Sequence, residues 1–538
     1  MESSEFDYII VGAGSSGCVV ANRLSADPSV RVCLLEAGPS DRNPVTAFKT
    51  RLPIGTVMLL PSMRYNWGYA FKGHEGLRNR NIPTHRGRMS GGSSSVNGML
   101  YIRGHSRDYD EWREQGNIGW GWQDVLPAFL KQEHRERGAN ALHGTGGELN
   151  VAPLRTLNPV TKAFLQAAGE TQHPQNDDFN GPTQDGFGAW EVTQKNGQRW
   201  NSARAFVHPV LQRKNLEVIN DRETVRITFE GRRATGVIIR HQGQETLLSA
   251  RREVILSSGS YNSPKLLMLS GIGDAAELKG HGLASVHHLP GVGKNLQDHP
   301  TAWIEVEDLS GQSSALTLRT VPRYALAALT YAFARRGPFT SNGVEAGGFV
   351  RTDSELDRPD IQYVFMPAMR APGKFLPRAH GFTLMPILLR PKSRGSVELA
   401  SADPSAKPLL HPRFLDDPVD VDAMVRGTQI GRQILEAPAL KSYRGRELSP
   451  GAQIQSREDI EQFLRSTITT AYHPVGTCKM APASDPMSVV DERLRVRGID
   501  ALRVIDASIM PTIIGGNTNA PAMMIGERGA DFILDEAR

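Results

Sequence analysis

The stretch Phe6-Asp-Tyr-Ile-Ile-Val11-Gly12-Ala13-Gly14-Ser15-Ser16-Gly17, followed by Cys18 to Leu24 and then by Val30-Arg-Val-Cys-Leu-Leu35-Glu36-Ala37, decides the fold. Phe6 to Val11 is a short β-branched run, the pattern of a buried strand. Cys18 to Leu24 reads as a helix, and Val30 to Leu35 as a second buried strand that ends at Glu36. Strand, glycine turn, helix and strand within about 30 residues make a βαβ unit. Each glycine has a task. Gly12 permits the tight turn out of the strand, Gly14 lets the backbone approach a pyrophosphate, and Gly17 lets helix and strand pack closely. The helix N-terminus at Ser15 and Ser16 offers free N–H groups and the positive end of the helix dipole to phosphate oxygens. Glu36 is placed to accept hydrogen bonds from both ribose hydroxyls of an adenosine.

The rest of the chain carries no second fingerprint. Gly291-Val-Gly293-Lys follows no clear strand and lacks the third glycine. One dinucleotide site therefore points to a resident flavin that the organic substrate itself reduces, without NADH. Residues 215 to 256 alternate apolar and polar (Leu216–Ile219, Val225–Phe229, Gly236–Arg240, Glu253–Leu256) and read as antiparallel strands with a turn at Glu230–Gly231. Residues 312 to 465 mix Pro-rich turns, strand-like runs at Ile361–Phe365 and Thr383–Leu389, and a helical run from Asp420 to Leu435. They read as the core of a second subdomain that shapes a substrate site.

With 538 residues the chain is too long for one simple core. Its 62 basic and 57 acidic residues give a net charge of +5, but the basic residues are scattered. A nucleic-acid binder clusters its positive charge on one face, so no nucleic-acid partner is expected. Three cysteines, Cys18, Cys33 and Cys478, argue against a disulfide framework and for a reducing compartment. The N-terminus lacks the pattern of a signal peptide, and no apolar run of about 18 residues exists. A cytoplasmic location is expected. Tyr324 to Phe333, apolar and flanked by Arg323, Arg335 and Arg336, reads first as a core or lid helix. Peripheral contact with the inner membrane is the alternative.

Three further stretches are similar to the glucose–methanol–choline (GMC) family of FAD-dependent oxidoreductases, and the match runs over nearly the whole chain. Gly87-Arg-Met-Ser90-Gly91-Gly92-Ser-Ser-Ser-Val96-Asn97-Gly98 resembles the family's first signature, except that Ser90 stands where relatives have an aliphatic residue. Gly259-Ser-Tyr-Asn-Ser263-Pro264-Lys-Leu-Leu-Met-Leu-Ser270-Gly271-Ile-Gly273 resembles the second without exception. Ile-Asp506-Ala507-Ser-Ile-Met-Pro resembles a C-terminal stretch near the flavin chain. The likeness is closest to the bacterial branch of choline dehydrogenases and acceptor-linked alcohol dehydrogenases. It implies an α/β fold in which a Rossmann-like FAD-binding domain (1–157, 203–310, 471–538) interleaves with an α+β substrate domain on an antiparallel sheet (158–202, 311–470). The implied FAD contacts are Gly12, Gly14, Ser15, Ser16, Gly17, Glu36, Ala37, Gly92, Asn97, Gly98, Leu100, Val225, Asp506, Ala507 and Asn519. Val225 would act through its backbone on the adenine. Where some relatives attach FAD through a histidine, this chain has Val96, so the FAD is expected to be non-covalent.

The resemblance also carries the catalytic pair onto His473, in Tyr-His-Pro-Val-Gly-Thr-Cys, and Asn517, in Gly-Gly-Asn-Thr-Asn-Ala-Pro. Alcohol oxidation removes a hydroxyl proton and a carbinol hydride. Flavin N5 takes the hydride, a neutral imidazole suits the proton, and Asn517 can hold the alcohol oxygen. The expected function is oxidation of a primary alcohol to an aldehyde, with electrons passed to a quinone or another non-NAD acceptor. An oxygen-using oxidase, a choline dehydrogenase and an FAD-containing lyase are the alternatives. Glu345 and the aromatic residues at Tyr65–Trp67 are candidates for holding a cationic alcohol. No metal-binding motif or nucleophile elbow is present. Oligomeric state is not readable.

Overall fold

The computed structural model describes residues 4–370 and 377–537. Its first sheet grows from β1 (Ser4–Val11), which runs parallel to β2 (Val32–Leu35) and to the end of the long strand Gln244–Leu256. Residues 6–11 of β1 and all of β2 are buried, as central parallel strands covered on both faces must be. Between them α1 (Ser15–Leu24) packs against the C-terminal helix Asn519–Glu536. Buried Glu527 on that helix binds Arg23 of α1 at 2.7 Å, and Lys131 also reaches it. The opposite flank is an antiparallel meander, Glu223–Glu230, Arg233–His241 and Gln244–Leu256. Two runs of the expected antiparallel set differ: Val254–Leu256 pairs parallel with β1 and with Leu502–Val504, and Leu216–Ile219 pairs parallel with β2. The latter enters beside β2 from a helical crossover, Ala203–Val210, and a crossover connection delivers strands in parallel.

The second sheet has eight strands, with Gly381–Leu388 and Ile361–Met366 at its centre and Ala346–Val350 and Gly186–Ala189 beyond them. The central strands are buried along almost their whole length. One face is covered by the helix Pro418–Glu436, capped at its start by Asp417, whose carboxylate accepts the Val419 N–H at 2.9 Å. Gly427 and Gly431 let that helix approach closely, since a Cβ on Gly431 would lie 2.9 Å from Ile304. The other face carries Val364, Met366, Met385 and Ile387 and closes over the cavity described below. Pro300–Thr301 and Ile304–Asp308 also pair into this sheet, ahead of the crossing expected near residue 310. Cys18, Cys33 and Cys478 are buried free thiols. Among the described residues, no helix is long and apolar enough to cross a membrane.

Candidate active site

A cavity of about 460 Å³ runs between the two sheets, within the range of small-molecule sites. Its lining brings together Gly12, Gly14, Ser15, Ser16, Glu36 and Ala37, then Gly92, Asn97, Gly98 and Leu100, and also His473 and Asn517. Asp506, Ala507 and Asn519 also line it. Two expected residues do not. Gly17 lies behind the wall, where a Cβ would sit 2.0 Å from the Gly12 carbonyl oxygen, the close helix–strand approach that its position requires. Val225 is buried off the wall, and its neighbours Arg222, Glu223 and Thr224 face the cavity instead. The pairing of its strand skips Val225 at a register shift, which turns its side chain into the sheet core.

The nucleotide end is electropositive by construction. α1 has no capping side chain and no acid in its first turn, so its leading N–H groups keep their hydrogen-bonding capacity. Gly12 takes φ +109°, a conformation for glycine, and turns the chain from β1 into that helix. The C-terminal helix likewise starts at the wall without a capping side chain. Glu36 accepts the N–H of Ala13 at 3.2 Å and of Gly38 at 2.9 Å, which leaves each carboxylate oxygen able to accept once more. Burial raises its pKa, against the pull of those two donors. Beneath the Gly-Ser loop, fully buried Arg199 has no carboxylate partner among the described residues. It donates to Asn97 Oδ1 at 2.8 Å and Thr56 Oγ1 at 2.8 Å, and burial lowers its pKa to about 9. Ser90, the departure from the signature, is accommodated by a 2.8 Å hydrogen bond from Asn220 Nδ2. Asp506 is a structural tie: its carboxylate accepts from Gly259, Ser263 and Ser508.

His473 is held in one tautomer by a chain of hydrogen bonds. His299 Nε2 lies 3.1 Å from the Leu389 carbonyl, which can only accept, so Nε2 carries the proton. Burial holds His299 neutral, with a pKa of about 3, and its Nδ1 is therefore an acceptor. His473 Nδ1, 3.0 Å away, must donate to it. This leaves His473 Nε2 as a lone pair facing the cavity, where Asn517 Nδ2 donates to it at 3.1 Å. Burial, then His299 and Arg86, hold the His473 pKa well below the usual imidazole range. Asp298 anchors the pair by accepting the backbone N–H of His299 (2.8 Å) and His473 (2.7 Å). Burial pushes its own pKa up to about 6.

Gln362 completes the arrangement. Its Nε2 donates to Asn517 Oδ1 at 3.1 Å, which fixes the amide with its NH₂ toward His473. Replacing Gln362 by leucine is expected to lower turnover about tenfold, the worth of one orienting hydrogen bond. Melting temperature should change little, because the lost bond to Asn517 is offset by removal of Gln362 Oε1, which is buried without a hydrogen-bond partner among the described residues. Turnover and melting curves of the purified variant decide this. A melting loss as large as the turnover loss would mark Gln362 as packing only.

Of the substrate-binding candidates Glu345, Tyr65 and Trp67, Trp67 alone lines the cavity. Glu345 does not line the cavity, and its carboxylate is taken up by the Asn158 N–H (2.7 Å), Thr161 (2.8 Å) and Ser341 (2.7 Å). The aromatic candidates already hold the protein's own cations: Lys49 lies over Tyr65 and Arg88 over Trp67. The wall beside His473 is Thr301, Trp303, Val364, Met366, Met385 and Ile387, with no carboxylate among them.

Two family models, both described as GMC oxidoreductase, match residues 6–301 and 391–526. The chain belongs to the GMC oxidoreductase family. An alcohol dehydrogenase (acceptor) of Pseudomonas putida is 47% identical over 98% of this chain and 96% of its own. An oxygen-dependent choline dehydrogenase of Brucella anthropi is 41% identical over 98% and 96%. Among solved structures, pyridoxine 4-oxidase from Mesorbium loti superposes with a TM-score of 0.87 at 29% identity, covering 98% of each chain. Formate oxidase of Aspergillus oryzae gives 0.91 at 28%, covering 100% of this chain and 99% of the other. GMC oxidoreductases are FAD enzymes acting on CH–OH groups, and this cavity fits FAD. Its uncapped helix N-terminus, Gly14 backbone and Glu36 acceptors suit a pyrophosphate and ribose, and it continues unbroken to the His473–Asn517 pair. In this GMC oxidoreductase His299 and Gln362 are the site residues that sequence reading missed. His299–Pro300 repeats the dipeptide of His473–Pro474, but the chain has five His-Pro dipeptides, so that signal selects nothing by itself.

Proposed function

We propose that this GMC oxidoreductase oxidises an uncharged primary alcohol to an aldehyde. The observation that carries this is the lone pair of His473 Nε2, fixed toward the cavity and beside the Asn517 amide. The substrate hydroxyl replaces the direct 3.1 Å hydrogen bond between them, which must open to admit it. His473 Nε2 accepts its proton, and Asn517 Nδ2 donates to its oxygen and orients the carbinol carbon. The relay through His299 to the Leu389 carbonyl holds the imidazole in the tautomer that accepts at Nε2. Bound FAD supplies the acceptor for the two electrons that leave the carbinol carbon. The apolar wall supports an uncharged chain, since none of Trp303, Val364, Met366, Met385 and Ile387 offers a carboxylate to a trimethylammonium group and nearby Glu305 is taken up by Arg370. The FAD is held without a covalent bond, because Val96 has no nucleophilic atom. The acceptor is a quinone or another non-NAD molecule.

The visible spectrum of the purified protein tests this reading. Flavin bands are expected that acid precipitation releases into solution and that anaerobic primary alcohols bleach, while choline leaves them unchanged. Bands that persist with every alcohol overturn the oxidation. Bleaching by choline alone overturns the uncharged substrate. Slow recovery on readmission of air, faster with a soluble quinone, is the result expected of a dehydrogenase.

A further inference from the structure

Ten of the thirteen large apolar side chains exposed among the described residues fall in two short segments, 42–74 and 309–344. Neither segment contains an Asp or Glu. Both carry exposed arginines, among them Arg42, Arg51, Arg64, Arg319, Arg323 and Arg336, which form no ion pair among the described residues. The centre of the second segment is the helix Val321–Ala334. Only Ala327 and Tyr331 are buried in it, and Tyr324 and Tyr331 pack down on the Phe339 ring. Its outward face is Leu326, Leu329 and Phe333, spaced three and four residues apart, with Leu318 just before it. Leu318 is 94% and Phe333 88% exposed. A surface helix ordinarily turns polar residues to water, and this one is apolar on its outer side. The two segments adjoin in the fold. Residues 53–55, which follow the helix Pro44–Arg51 with its exposed Val45 and Phe48, pack against residues 338–340, which follow the 321–334 helix.

We propose that this face docks on a lipid bilayer bearing anionic headgroups. Fourteen residues of helix reach about 21 Å, too short to span the hydrocarbon, so the helix lies in the plane of the interface. Its leucines and Phe333 enter the acyl boundary, and the arginines around them meet lipid phosphates. The charge decides between a membrane and a second copy of this chain. A two-fold interface sets a patch against itself, and here it would set arginine against arginine with no acid to compensate. The same two segments reach the cavity, through Thr56 and Leu60 on one side and Val344 on the other. Resting on the proposed function for this consequence alone, docking brings the cavity wall beside the phase in which an apolar alcohol or a quinone dissolves.

The test is co-sedimentation of the purified holoenzyme with vesicles of phosphatidylcholine alone, and of three parts phosphatidylcholine to one part phosphatidylglycerol. Binding to the mixed vesicles is expected, with weaker binding to the neutral ones. Leu318→Ser, Leu326→Ser and Phe333→Ser together should cut binding at least about 100-fold, since each removes an inserted side chain. Arg323→Glu with Arg336→Glu should remove the preference for the anionic lipid. Melting curves confirm that both variants fold, and neither touches the cavity. Wild-type protein that stays in solution with both vesicles overturns the proposal, as does a triple variant that sediments like wild type. A wild-type dimer that the triple variant splits, with no vesicle binding, assigns the face to a second copy and also overturns it. Vesicle binding by a protein whose flavin no alcohol bleaches leaves this inference standing and sinks the functional reading.

Discussion

His473→Ala protein is expected to keep its flavin spectrum and to lose alcohol-dependent bleaching by about 10²–10⁴-fold, the usual worth of a positioned proton acceptor. The loss should fall on turnover and leave the flavin bound, because the substitution leaves Gly12, Gly14 and Glu36, which suit the pyrophosphate and ribose, unchanged. Stopped-flow bleaching of the variant and the wild type under anaerobic conditions measures it. A variant that bleaches within tenfold of wild type would remove His473 from the proposed role. The pH profile carries the sign of the same assignment. Burial, His299 and Arg86 all disfavour the imidazolium, so His473 remains neutral and able to accept a proton through the ordinary histidine range. The bleaching rate should therefore hold as pH falls past about 6.5, the unperturbed histidine pKa, and decline only at lower pH. A rate that halves near that value would mean that His473 titrates as an exposed histidine, contrary to this site.

The second large effect separates two glycines three residues apart. A Cβ on Gly17 would lie 2.0 Å from the Gly12 carbonyl oxygen, a backbone atom that cannot swing away. Gly17→Ala should therefore push α1 off β1 and destabilise the fold by about 3 kcal/mol or more, at the upper end of overpacking costs. A Cβ on Gly14 meets the protein only at the Ser257 carbonyl oxygen, 3.8 Å away, and the residue sits at φ −83°, open to alanine. Gly14→Ala should leave the melting temperature of the flavin-free protein unchanged. It should weaken FAD binding at least about tenfold, by placing a methyl group where the pyrophosphate approaches the backbone. Thermal melts of flavin-free protein and FAD titration of both variants read the two effects separately. Equal destabilisation by both substitutions would deny Gly14 a ligand-facing role.

These outcomes depend on features of different legibility. The βαβ unit, its glycines and Glu36 stand within about 30 residues, and local chemistry is enough to read them: a strand pattern, a turn that needs glycine, a helix start, an acid at the next strand end. The helices Pro418–Glu436 and Val321–Ala334 were legible for the same reason, but the second, read first as a core or lid helix, buries only Ala327 and Tyr331 and turns Leu326, Leu329 and Phe333 outward. Leu216–Ile219 misled because an alternating run announces a strand but says nothing about the direction of its partner.

What the sequence by itself determined is the dinucleotide fold, because it rests on residue type and short spacing; the proton acceptor candidate and the lack of a covalent anchor at Val96 came from the sequence through the family resemblance of their motifs. What only the tertiary structure decided is the state in which those residues work. His299 meets His473 across 174 residues and Gln362 meets Asn517 across 155, and no local pattern records such pairs. Glu345 looked free to bind a cation until folding buried it against Asn158, Thr161 and Ser341. The physical reason is the same in each case. Burial sets protonation, tautomer and hydrogen-bond supply, and burial is a property of the packed chain.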